Sequence, residues 1–251
     1  MTGNRNEGLE ITLPSGALFP DWSCITSPVA RAALEAVYRI ERVERRWAGL
    51  GEDGERVRRA VLEAFLTTGH APSLGELGEI TGFDADSLRD LLADLMGRDI
   101  VVADGHDDVI GGAYPFVERS RGHRLRINGV AINAMCAIDA LGAGSMCGAD
   151  AVIESACAQC GGPIHIETRD HGATLAAVTP ESAVVRIGIE REDSCSADSL
   201  CRVMSFFCSD DHLADWCDAN PDHAEGYRLA MDEALQTAKA LFAPLLKEPA
   251  P

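Results

Sequence analysis

The sequence predicts an α+β protein: an N-terminal winged-helix-like helical unit, then an antiparallel-sheet domain, then a closing C-terminal helix. Three observations carry this. Apolar residues recur at helical spacing up to residue 96, and they alternate or cluster in short runs between turn signals from 119 to 189. After residue 224 they return to helical spacing, with Leu229, Leu235, Ala238, Leu241 and Phe242 on one face.

In chain order, residues 1 to 27 read as an extended lead-in, with Pro14, Gly16, Pro20 and a lone Cys24. Ala33, Val37, Ile40, Val43 and Trp47 then mark one amphipathic helix from Pro28 to Leu50, and this extension closes at the glycines before residue 55. Residues 55–118 form the winged-helix-like unit. A helix carries Val57, Val61 and Phe65; a second opens on the capping box Ser73…Glu76; Asp84 caps a third with Leu88, Leu92 and Leu95. Ile100 to Ala103 and Val109 to Tyr114 flank Asp104-Gly-His-Asp-Asp108 as a β-hairpin. Residues 119–251 are the sheet domain. Arg119 to Arg126 and Ile127-Asn-Gly129 read as a short strand and turn leading into a central helix, Asn133 to Gly142, stopped by Gly142 and Gly144. Ala151 to Ser155, Ile164 to Thr168, Thr174 to Val178 and Ala183 to Ile189 read as one antiparallel sheet, and Arg191 to Ala197 is a polar stretch. Leu200 to Phe207 is a further buried stretch, and a helix from Ala224 to Leu245 ends the chain.

Composition narrows the function. The 22 basic and 40 acidic residues give a net charge of −18, a field that repels nucleic acid and anionic membrane. The third helix repeats this locally, with Asp84, Asp86, Asp90 and Asp94 against Arg89, so DNA binding is not expected of the winged-helix-like unit. No apolar run is long enough to span a membrane and residues 1–8 lack a secretory pattern, so a cytoplasmic protein is expected. In a reducing compartment the nine cysteines read as thiols, not as a disulfide framework.

The central stretch holds the chemistry. Cys136 and Asp139 stand three apart, on one face if the stretch is helical. A carboxyl among Met, Ala, Ile and Leu is costly to bury unless paired or protonated, and a raised pKa suits a general acid. Cys201 is a second thiol. A buried core cysteine is the commoner fate of either thiol taken alone. Cys157-Ala-Gln-Cys160 is half a zinc site or a redox pair, with no second pair at ordinary spacing, although His165 and His171 lie downstream. Cys147, Cys195, Cys208 and Cys217 stand alone and are given no role.

Met135-Cys-Ala-Ile-Asp-Ala-Leu141 resembles the Cys-Ala-[Leu/Ile]-Asp-[Thr/Ala]-Leu segment of the organomercurial (alkylmercury) lyases. The remaining order is similar too: a Gly-x-Pro-Ile type turn before Ile164, Cys201 five residues ahead of Phe206-Phe207, then Asp215-Trp216 and a closing helix. The resemblance spans about residues 55 to 245, with Met135 in place of an aromatic residue and Arg202 in place of a second cysteine. It implies that residues 119–251 are a catalytic domain in which Cys136 and Cys201 bind mercury and Asp139 carries the proton. Cys157 would match a structural, non-catalytic cysteine. It further implies no prosthetic group, mercury bound as substrate and product, low-molecular-weight thiols for turnover, and Hg(II) handed to thiols or a mercuric reductase in detoxification. Soft mercury prefers thiolate in any case. Two other readings stay open: a soft-metal-sensing winged-helix transcription regulator, and a mercury-binding descendant that does not cleave carbon–mercury bonds.

Overall fold

The computed structural model of the chain describes residues 8–105, 109–189 and 196–247. The lead-in forms a small β-ladder, β1 (Ile11–Thr12) with β2 (Leu18–Phe19), and a 3₁₀ turn at Trp22–Cys24. The helix expected over 28–50 is two: α1 (Pro28–Ile40) and α2 (Val43–Trp47), broken at Arg42, whose φ of 49° is left-handed. Ser27 caps α1 by accepting from the Val29 and Ala30 amides, with Pro28 suited to the first helical position. Then follow α3 (Glu52–Thr68), α4 (Leu74–Thr81) and α5 (Ala85–Gly97). The Ser73–Glu76 capping box and the Asp84 cap are both formed.

Strands β3 (Val101–Ala103), β4 (Ile110–Ala113) and β5 (Phe116–Val117) come next, with residues 106–108 of the expected hairpin loop outside the described residues. The stretch 119–134 is a full hairpin, β6 (His123–Ile127) and β7 (Val130–Ala134), turned at Asn128-Gly129. Both turn residues have positive φ, 49° and 84°, the conformation that makes Asn-Gly the preferred two-residue hairpin turn. After α6 (Ala137–Cys147) come β8 (Ala151–Ala156), β9 (Pro163–Arg169) and β10 (Thr174–Thr179). These strands form one eight-stranded antiparallel sheet in the order β10-β9-β8-β6-β7-β5-β4-β3. The sheet runs unbroken through residue 118, and β3 is its edge.

The fourth strand expected in that sheet belongs elsewhere. β11 (Val184–Gly188) pairs with β12 (Met204–Phe207) on one side and β13 (Gly226–Ala230) on the other, forming a separate three-stranded sheet. The segment expected as polar, 191–197, lies outside the described residues except for Ser196 and Ala197. Helix α7 (Asp210–Ala219) follows β12, and a 3₁₀ turn at Pro221–His223 leads to β13. The closing helix therefore starts later than expected, as α8 (Met231–Phe242). Tyr227 and Leu229 serve a strand instead, because β11 offers an open edge, and a Cβ at Gly226 would stand 2.4 Å from the Ile187 carbonyl. Glu233 marks the change to helix by accepting from the Ala230 amide at 2.8 Å.

The expected central helix is also displaced. Asn133 and Ala134 end β7, Cys136 is the N-cap of α6 with an extended φ of −151°, and Gly148 is the left-handed C-cap. Gly142 lies inside the helix for packing: a Cβ there would sit 2.2 Å from the Phe242 ring of α8. Helix α8 is thus held against α6, and the lead-in is tied onto α8. Gln236 Oε1 accepts from the Thr26 and Ser27 amides, and the Asp21 amide donates to the Ala240 carbonyl at 2.9 Å. Among the described residues, no helix is long and apolar enough to cross a membrane.

Candidate active site

The strand-to-helix turn after β7 places Cys136 and Asp139. As N-cap, Cys136 occupies the position where a side chain accepts from the first free amides; its Sγ is 3.4 Å from the Asp139 amide nitrogen. The two meet through this cap, not across a helix face as the spacing predicts. Cys201 arrives from the other sheet, on the 3₁₀ turn Leu200–Val203 that feeds β12, with its amide bonded to the Ser196 carbonyl. Its thiol points at Asp139 Oδ2, 3.7 Å away, and the ligand atoms of the three residues lie within 4.8 Å of one another. Cys136, Asp139 and Cys201 are 1%, 3% and 8% exposed. Met204 Sδ stands 3.9 Å from Cys136 Sγ, adding a further soft atom to the wall.

Burial sets the protonation. It pushes the Asp139 carboxyl up to about 7, against hydrogen bonds from Cys136 and Cys201 that work to lower it. It also raises Cys136, while the hydrogen bond with Cys136 and burial together lift Cys201 well above the ordinary thiol range. Near neutrality both thiols hold their protons and Asp139 is poised to gain or lose one.

These side chains open into an apolar cavity of about 110 Å³. Phe19, Val37 and Trp47 of the first fifty residues form part of its wall, together with Leu62, Ile138, Leu241 and Phe242. Lead-in and first helices, given no role from the sequence, therefore complete the cavity. So does a polar cluster: Arg46 pairs with Glu41 and Asp99, the Ser196 hydroxyl is within hydrogen-bond distance of both carboxylates, and Tyr114 Oη donates to Asp99 at 3.1 Å. No local motif announces this cluster, because its five members come from four separate stretches of the chain. Of the two positions that depart from the resemblance, Met135 packs against Gly112 and Arg202 is exposed.

A second group of ligand-type side chains gathers outside this cavity. Cys157, Cys160, Cys208 and His212 bring their ligand atoms within 4.8 Å of one another. The pair expected to be missing beside Cys157-x-x-Cys160 is thus Cys208-x-x-x-His212, which reaches it from 48 residues along the chain. His165 and His171 are not part of it: His165 bonds Glu154 and Glu167, and His171 Nδ1 meets the Gly148 carbonyl.

Comparison with known proteins places this architecture. The alkylmercury lyase (MerB) family profile matches residues 116–243, just over half of the chain. Alkylmercury lyases of Bacillus cereus and Clostridium butyricum are each 26% identical over 195 residues, covering 76% of this chain and 84% of theirs. A solved structure described as the mercury-bound form of MerB2 shares the fold, with a TM-score of 0.71 at 23% identity, over 86% of this chain and all of that one. The α+β class and the resemblance drawn from the Cys136–Leu141 segment are both borne out, and the chain belongs to the alkylmercury lyase family.

Proposed function

We propose that this protein is an organomercurial lyase that cleaves R–Hg⁺ by protonolysis, giving R–H and Hg(II), with Cys136, Cys201 and Asp139 as its reacting groups. One observation carries the reading: two thiols and one carboxyl converge, all buried, on an apolar cavity. The thiols supply soft ligands for mercury, the cavity accommodates a small organic group, and the carboxyl near neutrality moves protons in either direction.

The steps balance without a prosthetic group. Thiol exchange with R–Hg–SR′ puts R–Hg on one cysteine, and that cysteine's proton leaves on the small thiol. Asp139, as carboxylate, takes the proton of the other cysteine, whose thiolate then adds to mercury. Extra electron density on mercury passes to the bonded carbon. The carbon–mercury bond breaks with its electron pair on carbon, which accepts the proton from Asp139, and R–H departs. Hg(II) stays on the two thiolates until small thiols or a mercuric reductase remove it. The cytoplasm, with its reduced thiol pool, is the compartment that fits this cycle.

Duplex DNA is not among the partners we propose. Asp84, Asp86, Asp90 and Asp94 are exposed along α5, where they would face phosphates, and the β3–β4 hairpin is the sheet edge. The direct test is incubation of the purified protein with methylmercury or phenylmercury and excess small thiol, with methane or benzene measured in the gas phase or by extraction. Hydrocarbon in many-fold excess over protein is expected. None after prolonged incubation, from protein shown to be folded, would leave mercury binding without cleavage.

A further inference from the structure

The loop between β8 and β9 is shaped around sulfur. In Cys157-Ala-Gln-Cys160-Gly-Gly162, the Cys157 amide donates to the Gly162 carbonyl at 2.8 Å and the Gly161 amide to the Cys157 carbonyl at 2.9 Å, curling the chain back on itself. Gly161 has a φ of +70°, which the tight curl requires. The Gly162 amide points at Cys160 Sγ, 3.3 Å away, and the Cys208 amide points at Cys157 Sγ at 3.4 Å. Amide donors aimed at sulfur suit thiolates. A Cβ at Gly162 would press on Cys160 Sγ at 3.1 Å and touch Cys208 Sγ at 3.5 Å.

The other half comes from the β12–α7 junction. Cys208 follows the last residue of β12 and His212 lies in the first turn of α7, where the Ser209 cap accepts from the His212 amide. The spacing of the four atoms is informative. With metal–sulfur bonds near 2.3 Å and metal–nitrogen near 2.0–2.1 Å, a tetrahedral zinc site has S–S edges of about 3.8 Å and S–N edges of about 3.5 Å. Here Cys160 Sγ is 3.9 Å from Cys208 Sγ, and Cys157 Sγ is 3.5 Å from His212 Nδ1. Both edges therefore already have the length a bound ion would impose.

We propose that Cys157, Cys160, Cys208 and His212 form a second site, separate from the cavity, that holds one thiophilic divalent cation of the zinc group in tetrahedral Cys₃His coordination. Three thiolates and a neutral imidazole fill the coordination sphere, leaving no open position, so the role is structural: the ion staples the β8–β9 loop to the start of α7. Cys160 is exposed, which gives an ion its entry path. Zinc and Hg(II) share this chemistry, and the test separates them.

The full chain is produced without mercury in zinc-containing medium, and its metal content is measured by mass spectrometry. About one zinc per chain is expected in the wild type and in Cys136→Ser, falling several-fold or more in Cys160→Ser and Cys208→Ser. Replacing zinc by cobalt(II) in the wild type is expected to give the intense visible bands and sulfur-to-cobalt charge-transfer absorption of tetrahedral thiolate cobalt. That readout needs no variant and so does not depend on the folding of one. A parallel arm offers Hg(II) to Cys136→Ser/Cys201→Ser in the presence of small thiol. Uptake of about one equivalent there, lost when Cys160→Ser is added, makes mercury the occupant if zinc is absent. Failure to hold zinc, cobalt or mercury, or equal metal content in wild type, Cys160→Ser and Cys208→Ser, overturns the site.

Discussion

Two thiol clusters lie at either end of the same strand. Cys201 stands three residues before β12 and Cys208 follows its last residue, so six residues separate them, four of them in the strand, about 13 Å of extended chain. At the first end the thiols are buried and their polar partner is a carboxyl; burial drives Cys136 up, and the hydrogen bond with Cys136 together with burial drives Cys201 up. At the second end burial also acts to raise Cys157, but amides of Cys160, Cys208 and Gln159 and the ring of His212 outweigh it and bring the thiol down to about 6. One cluster keeps its protons and needs Asp139 to move them; in the other the Cys157 thiolate is favoured while burial and the neighbouring Cys157 and Cys160 push Cys208 up to about 12, so an arriving cation displaces that proton. A pair of cysteines thus says little by itself. What surrounds the sulfur decides between a site that transfers a proton and a site that holds an ion.

The comparison breaks most visibly at the first end. In Cys136→Ser and Cys201→Ser an alcohol replaces the soft ligand, and turnover of R–Hg⁺ is expected to fall by more than about 10⁴-fold, as when one member of an interdependent catalytic set is removed. Measured hydrocarbon release from both folded variants checks this; substantial activity in either would remove that cysteine from the site. Asp139→Asn comes next. It keeps shape and polarity but cannot carry the proton, so release of R–H should drop on the order of 10²- to 10⁴-fold. Mercury should nonetheless remain with the protein through gel filtration, and wild-type turnover would transfer the proton's role elsewhere.

Much of this first end was legible because its residue types are unusual where they stand. An aspartate inside an apolar run asks for an explanation, and the Ser73–Glu76 and Asp84 caps were equally readable because a cap is a local contract between near neighbours. Cys136 as an N-cap was not legible. Gly142 and Gly144 look like helix stops, and their real reason is contact with Phe242, Ala149 and Gly172, the first of them a hundred residues away. Asn128-Gly129 turns a hairpin whose second strand, β7, runs on to Ala134 before the helix begins. The second cluster and the cavity wall from Phe19 to Trp47 stayed hidden for one reason: their partners are distant in sequence. Cys157-x-x-Cys160 signals one half of the former locally, and the Cys208-x-x-x-His212 spacing is the local signal for the other half.

A smaller effect sharpens the electrostatic half of the comparison. Asp139 has a folded pKa of about 7 against an ordinary value of 3.8, so between those limits the folded protein keeps a proton that the unfolded chain has released. Stability contributed by this group is therefore full below pH 4 and is lost as pH rises toward 7, levelling above it. Denaturant midpoints measured across that window should show a downward component that Asp139→Asn removes. Turnover should decline below pH 7, as the carboxylate form that takes the cysteine proton is depleted. A difference curve between wild type and variant that is flat from pH 4 to 7 would mean that Asp139 is not held protonated.

The smallest expected effect concerns a thiol in neither cluster. Cys147 ends α6, the helix that carries Asp139 in its first turn, and it is half-buried, with burial raising its thiol to about 11. Its Sγ lies 2.6 Å from the Ala143 carbonyl, so its hydrogen bond closes on its own helix and reaches neither site. If surroundings and not thiol count decide function, Cys147→Ala should leave R–Hg⁺ turnover within about twofold and cost about 1 kcal/mol of stability, the usual scale for a single substitution. Both are measurable in one preparation, by hydrocarbon release and by denaturant unfolding. A tenfold loss of turnover with stability unchanged would show that a thiol eight residues from Asp139 takes part in mercury transfer, and the sharp division between the two clusters would give way to a chain of thiols along the molecule.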